Sequence, residues 1–155
     1  MSKVLTLDYE NEHDYKLIGI HTTLEDYRLA YYLNTNLNIQ LKRNSQDLDL
    51  GSKNNFFSLY VCNCNTTFLS WSLITNKYVS VSETDAVSTI LFKENYQTSV
   101  LIQEKNKIDY FLKIEGDLTE NEFELIIAKV NSIKHIITSY KINPQTLKSK
   151  DYLIF

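Results

Sequence analysis

The residues with the clearest chemical potential in this sequence are two closely spaced cysteines, Cys62 and Cys64. A C-x-C pair is typical of metal sites, but structural zinc needs four ligands, usually from two such pairs. The sequence has no second pair and no histidine close to this one. We therefore expect the cysteines to lie in the core or in a turn, with no metal site and no cofactor. Metal binding or redox chemistry is the alternative.

A second set of candidates lies around the predicted start of a helix. His21 ends an apolar strand, Asp26 falls in the first helical turn and Arg28 follows two residues later. Unpaired backbone N–H groups and the helix dipole stabilise an anion in a first turn, and ligands often bind in such places. These side chains could form a site if they open into a pocket. The alternative is that each has a structural role only.

Glu104 and Asp109 lie at the two ends of a polar segment that also contains two lysines. Paired carboxylates can act as general acid and base when a cleft raises the pKa of one of them. On an exposed hairpin loop they would only be solvated. The candidate binding residues are therefore His21, Asp26, Arg28, Glu104 and Asp109, and no residue is assigned a catalytic role.

Several classes of protein are excluded by what the sequence lacks. It has no phosphate loop, dinucleotide-binding glycine motif, nucleophile elbow or zinc-protease motif, and only three glycines. The net charge of -3 argues against a strongly cationic nucleic-acid surface. No stretch approaches the roughly 20 apolar residues of a membrane span, and the N-terminus lacks a signal-peptide pattern. These features indicate a cytoplasmic protein that does not bind membranes, and they argue against nucleic-acid binding.

Two amphipathic helices are predicted to support the sheet. The first should span about 24–37, and Thr22 with Glu25 has the spacing of a capping box. The second should follow Thr119, which repeats that spacing with Glu122. Its apolar positions recur at the i, i+3, i+4 and i+7 spacing of a buried helix face; they are Phe123, Ile126, Ile127, Val130 and Ile133.

The remaining apolar segments have the length and alternation of strands. They lie at 4–7, 15–21, 39–43, 56–62, 67–74, 78–82, 98–102, 108–114 and 136–142. The segments 63–66 and 103–107 are predicted to close two hairpins. Because strands and hairpins dominate, we expect an α+β fold, with a mostly antiparallel sheet of six to eight strands packed by two principal helices. The length of 155 residues and the lack of repeats or linkers predict a single domain, 1–155.

Two blocks of the sequence resemble a bacterial family, the IPExxxVDY family. The segment 101–114 (LIQEKNKIDYFLKI) is similar to the signature, and 23–34 is similar to the N-terminal helix of that family. A weaker match joins LKR at 41–43 to DLD at 47–49. Gln103 stands where the family has proline, and Ile108 where it has valine. The resemblance implies a small bacterial cytosolic protein. It implies no activity and transfers no catalytic residue.

The expected function is that of a non-catalytic interaction or small-ligand-binding domain, with a homodimer as one form of interaction. The alternative is an enzyme with an unrecognised site around His21, Asp26 and Arg28. That alternative requires these side chains to converge on one concave pocket. Nucleic-acid binding through the lysines of 129–150 is the weakest of the three readings, given the overall charge.

Overall fold

The computed structural model describes residues 14–49, 56–82 and 95–155. The predicted strand at 4–7 lies outside this part. The elements are, in order, β1 (Lys16–Thr22), α1 (Asp26–Leu37), β2 (Lys42–Arg43), β3 (Leu48–Asp49), β4 (Phe56–Phe57), β5 (Leu59–Asn63), β6 (Ser70–Thr75), β7 (Lys77–Ser82), β8 (Asn95–Val100), β9 (Tyr110–Glu115), α2 (Glu120–Asn131) and β10 (Ile136–Ile142). In the described part of the chain, neither helix has the length and apolarity that crossing a lipid bilayer requires.

Six of the strands form one antiparallel sheet in the order β10-β1-β9-β6-β5-β2. The pairs β3–β4 and β7–β8 form two smaller antiparallel ribbons. The two helices pack against the six-stranded sheet and against each other. The architecture is therefore α+β, as the sequence predicts.

Both faces of the sheet are covered, which explains why β1 is apolar at successive positions. Ile18 belongs to the cluster under the helices, whereas Leu17 belongs to a second cluster on the opposite face. Short 3-10 turns at 103–105, 144–146 and 150–153 lie in or beside segments that supply Ile102, Leu147 and Leu153 to that second cluster. Between them, Gly19 permits close packing, because a Cβ atom there would lie 2.6 Å from the Ile142 side chain.

The start of α2 agrees with its sequence, and the start of α1 does not. Thr119 and Glu122 form the capping box, with each side chain accepting a backbone N–H. The predicted box at Thr22 and Glu25 is wrong: α1 begins at Asp26, and its N-cap residue Glu25 makes no side-chain cap bond. The reason is that Thr22 ends β1, where its hydroxyl donates to the His135 carbonyl at 2.8 Å.

The hairpin predicted around 63–66 is present as β5 and β6. The hairpin predicted around 103–107 is wrong, because β8 pairs with β7 while β9 pairs with β1 and β6. The connecting segment does not reverse the chain on itself. Instead, Leu101, Ile102 and Ile108 are buried at 0–1% exposure in the second cluster. Burial of these three side chains makes the segment a cover for the sheet.

The strand predicted at 39–43 is reduced to Lys42–Arg43. Asn38 takes a left-handed conformation that ends α1, and Asn34 then binds the next segment. Its side chain accepts the Leu41 N–H at 2.7 Å and donates to the Leu41 carbonyl at 3.1 Å. The Asn34 amide thus supplies the hydrogen bonds that a neighbouring strand would make to Leu41, and β2 starts one residue later, at Lys42.

Candidate functional site

A cleft of about 460 Å³ lies beside the start of α1, where β6 passes into β7. Residues from α1, β2, β4, β6, β7, β9 and the intervening loops form it. They are Asp26, Arg43, Asp47, Phe56, Ser58, Thr75, Lys77, Tyr78, Val79 and Tyr110. This set, called the polar cleft below, combines charged groups, hydroxyls and an apolar wall, as small-molecule sites commonly do.

Arg43 holds one side of the polar cleft together. Its Nη1 lies 3.1 Å from Asp26 Oδ2, and its Nη2 lies 2.6 Å from Asp47 Oδ1. The guanidinium also lies 5.5 Å from the centre of the Tyr60 ring. Because a guanidinium is planar and can donate in several fixed directions, Arg43 fixes α1 relative to β2 and to the loop that carries Asp47.

Lys77 and Asp109 hold the other side. Lys77 Nζ lies 2.8 Å from Asp109 Oδ1, and Asp109 Oδ2 accepts the Thr22 N–H at 3.0 Å. The carboxylate therefore joins the first residue of β7 to the end of β1. Asp109 does not line the polar cleft itself but orients the lysine that does.

The floor of the polar cleft carries three hydroxyl groups. Tyr110 is buried and donates its O–H to the Leu24 carbonyl at 2.7 Å. Burial, with the negative charges of Asp26 and Asp109, raises the pKa of Tyr110 well above its ordinary value, so the phenol stays a neutral donor. The hydroxyls of Ser58 and Thr75 are hydrogen-bonded to each other.

The five residues predicted from sequence do not form one site. Asp26 lines the polar cleft, and Asp109 reaches it through Lys77. His21 instead stacks on Tyr140 of β10, with its Nε2 3.0 Å from the Tyr140 hydroxyl. Arg28 is exposed on α1.

Glu104 has a structural role outside the polar cleft. Its carboxylate accepts the Ser149 N–H at 2.7 Å and the Ser149 hydroxyl at 3.0 Å. Although partial burial opposes ionisation, these hydrogen bonds hold the pKa of Glu104 below its ordinary value. Glu104 therefore fastens the C-terminal segment to the 101–109 segment.

Sequence reasoning missed Arg43, Asp47 and Lys77. Lysines are plentiful in this chain, so Lys77 carries no signal of its own. A weak signal existed for the other two, because Arg43 and Asp47 lie four positions apart in the additional, weaker match to the family. Their partners, however, come from separate elements, and no local pattern indicates Asp26 as the third member.

The two cysteines lie at the tip of the β5–β6 hairpin and border a different cavity of about 550 Å³. Cys62 is buried in the core and accepts the Gln40 N–H at 3.4 Å. Cys64 lies in the turn, with its Sγ 3.1 Å from the Thr66 hydroxyl. Among the described residues, no group of three or more His, Cys, Asp or Glu side chains could hold a metal ion.

Cys64 is expected to be the more reactive thiol. Hydrogen bonds from the Thr66 and Thr67 side chains lower the pKa of Cys64 to about 6, so the nucleophilic thiolate predominates above that pH. Iodoacetamide labelling, followed by mass spectrometry across pH 4–9, should give a rate midpoint near 6 for Cys64. Thr66→Val should move this midpoint upward. Labelling of Cys64 with an ordinary midpoint between about 8 and 9 would contradict the prediction.

The fold and the polar cleft together define an α+β protein with an ion-paired cleft beside its sheet. A scan against protein-family models, a search of curated proteins and a search of solved structures each found no match for this chain. The resemblance to the IPExxxVDY family therefore stays a prediction.

Proposed function

We propose that this protein is a non-catalytic small-ligand-binding domain and that the polar cleft is its site. The observation that carries the proposal is the convergence of Asp26, Arg43 and Lys77 from three elements on one concave space beside Phe56 and Tyr78. Concave sites with a few fixed polar groups and an apolar wall are the usual form of small-molecule sites. The ion pairs fix these groups before a ligand arrives, which lowers the ordering cost of binding.

The chemistry of the lining residues favours binding over catalysis. In the described lining, no histidine or cysteine is present, and the carboxylates of Asp26 and Asp47 are both paired with Arg43. The hydroxyls of Ser58 and Thr75 bond to each other, so neither is paired with a general base in the described contacts. The enzyme alternative required His21, Asp26 and Arg28 to converge, and their separate positions lend it no support.

Among the described strands, β10 forms one edge of the six-stranded sheet, and this edge offers little to a second copy of the chain. A bare edge strand invites pairing with another strand. Here the Asn131 side chain accepts the Ser139 N–H at 2.8 Å and donates to the Ser139 carbonyl at 3.1 Å. Since these contacts occupy the middle of the edge, we place the function in the polar cleft and not in a homodimer through β10.

The proposal is tested by screening a diverse panel of small polar compounds against the ¹⁵N-labelled full chain. We expect at least one compound to cause saturable amide shifts around Lys77, Tyr78 and Asp26. Lys77→Met and Thr75→Val should each lower the affinity for that compound by about tenfold, the usual effect of one lost hydrogen bond.

Two matched substitutions outside the polar cleft serve as controls, Lys129→Met on α2 and Thr138→Val on β10. Both side chains are exposed, so both variants should bind as the unchanged chain does. A panel that never shifts the amides of the polar cleft would refute the proposal. So would binding that Lys77→Met and Thr75→Val leave intact while the fold is retained by circular dichroism.

A further inference from the structure

The charges of the polar cleft are already compensated within the protein. Arg43 is shared by Asp26 and Asp47, and Lys77 is paired with Asp109. An anionic ligand would have to compete with Asp109 for Lys77 or with Asp47 for Arg43. A cationic ligand would have to draw the same carboxylates away from their partners. A charged ligand would have to exchange with a partner that is already in place, whereas a neutral ligand would not, so the arrangement favours neutral ligands.

The hydrogen-bonding groups that remain available in the polar cleft include both donors and acceptors. Lys77 Nζ contacts Asp109 Oδ1 at 2.8 Å and the Lys107 carbonyl at 3.4 Å, which uses two of its three protons. Asp26 accepts one bond on each oxygen, from the Tyr27 N–H and from Arg43, and each oxygen keeps a further lone pair. A ligand group that fits this mixture must both donate and accept, as a hydroxyl does.

An apolar wall faces these polar groups. Phe56 and Tyr78 line the polar cleft, and Phe56 is 42% exposed overall. Tyr78 is held in a tilted edge contact with Phe57, with ring centres 6.3 Å apart. The wall is thus partly fixed and can cover the C–H face of a flat or chair-shaped ring.

A second cavity of about 630 Å³, called the second lobe below, shares Arg43, Asp47 and Phe56 with the polar cleft. The rest of its lining consists of Asp49, which already interacts within the protein, and the neutral hydrogen-bonding side chains Asn44, Ser45 and Gln46. Neutral amides and hydroxyls match the hydroxyl groups of a ligand and offer no charge to an ion. The second lobe therefore extends the same chemistry to a second ring.

We infer that the polar cleft and its second lobe bind a neutral, hydroxyl-rich ring compound of the sugar or cyclitol class. This inference rests on the proposed function and names the ligand class of the same site. The ring lies against Phe56 and Tyr78, while its hydroxyls bond to Asp26, Lys77 and the Ser58–Thr75 hydroxyl pair without displacing any ion pair.

The test titrates the ¹⁵N-labelled full chain with matched probes. The neutral probes are glucose, galactose, ribose, myo-inositol, maltose and cellobiose, and the charged analogues are glucuronic acid and glucosamine. We expect at least one neutral probe to shift the amides around Tyr78 and Lys77 in a saturable way. Its charged analogues should bind at least tenfold more weakly, and a two-ring probe should also shift the amides of 44–47.

Two phenylalanine variants separate stacking on the wall from a general effect. Phe56→Ala should lower the affinity for the neutral probe by about tenfold, because the substitution removes part of the apolar wall. Phe68→Ala should leave the affinity unchanged, since Phe68 is 82% exposed in the β5–β6 turn. Equal loss in both variants, or no loss in Phe56→Ala, would overturn the inference.

The outcomes also separate this inference from the proposed function. If charged analogues bind as tightly as neutral sugars, or if only compounds of another class shift these amides, the ligand class is wrong and the binding function stands. If no compound of any class shifts them, both proposals fail. Binding counts as non-specific if the shifts are weak, do not saturate and are unchanged in Phe56→Ala. This result would also overturn the inference.

Discussion

Asn76→Ala is expected to lower the free energy of unfolding by about 3–5 kcal/mol, among the largest effects of any single change in this protein. Asn76 is fully buried. Its side chain donates to the carbonyls of Lys105 and Ile108 at 3.0 and 2.8 Å and accepts the Ile102 N–H at 2.9 Å. Alanine would leave the Ile108 carbonyl and the Ile102 N–H unpaired in the interior, where each costs about 1–3 kcal/mol, whereas the Lys105 carbonyl would keep its bond from the Ile108 N–H.

Asn76→Ala should also disturb the polar cleft, because Asn76 organises the segment that ends at Asp109. Its own N–H donates to the Asp109 carbonyl at 2.9 Å, and Asp109 in turn orients Lys77. We therefore expect Asn76→Ala to weaken any ligand of the polar cleft as well. Asn76→Asp should be at least as destabilising, because it removes both donors and buries a charge.

Urea unfolding followed by the fluorescence of the single tryptophan, Trp71, measures this effect. Asn106→Ala is the matched control, since Asn106 lies exposed in the same segment and should change stability by about 0.5 kcal/mol or less. A loss below about 1 kcal/mol for Asn76→Ala would show that the segment does not depend on this side chain.

Leu153→Ala is expected to destabilise the protein by about 3–5 kcal/mol. Leu153 is fully buried on the side of the sheet opposite the helices. Its carbonyl accepts the Lys113 ammonium at 2.7 Å, and Lys113 is only 2% exposed. Removing the leucine side chain loses its burial and loosens the segment that satisfies a buried cation.

The surroundings of Lys113 explain why this cation tolerates burial. Its Nζ lies 3.2 Å from Glu115 Oε1 and 4.8 and 4.5 Å from the ring centres of Tyr15 and Phe155. Aromatic faces attract cations, most strongly where water is excluded. Burial, with the charges of Glu115 and Asp151, raises the pKa of Tyr15 to about 12, so this ring stays neutral.

A double-mutant cycle separates the burial of the Leu153 side chain from the contact between the Leu153 carbonyl and Lys113. In a Lys113→Met background no buried charge depends on the Leu153 carbonyl, so Leu153→Ala should cost about 1–3 kcal/mol less than in the unchanged chain. Tyr152→Ala, at a neighbouring exposed position, should cost about 1 kcal/mol or less. Equal losses for Leu153→Ala in both backgrounds would mean that the C-terminal segment does not hold Lys113.

Local patterns were sufficient for some elements of the fold. The α2 helix and its capping box follow from Thr119, Glu122 and the apolar spacing, because all the interactions that start it lie within four residues. The β5–β6 hairpin is likewise set by neighbouring segments. The start of α1 was not predictable, since the Thr22 hydroxyl binds a carbonyl 113 residues away.

The candidate site likewise contains some residues that the sequence indicated and others that it did not. Asp26 and Asp109 were identifiable as carboxylates at the ends of elements, whereas Arg43 and Lys77 were not. The partner of Arg43 on α1 lies 17 residues away, and the partner of Lys77 lies 32 residues away. Residue type and spacing do not reveal such pairings, because they depend on which strands become neighbours.

What the sequence determined by itself was the α+β class, the α2 helix and the absence of the common phosphate-binding and nucleophile motifs, because composition and short-range periodicity express these directly. Only the tertiary structure decided that β8 pairs with β7, that the 101–109 segment covers the sheet, and that three carboxylates and two cations meet beside α1. The physical reason is that a cleft is made by contacts between distant segments, and the energy of those contacts depends on burial and distance, which no local pattern contains.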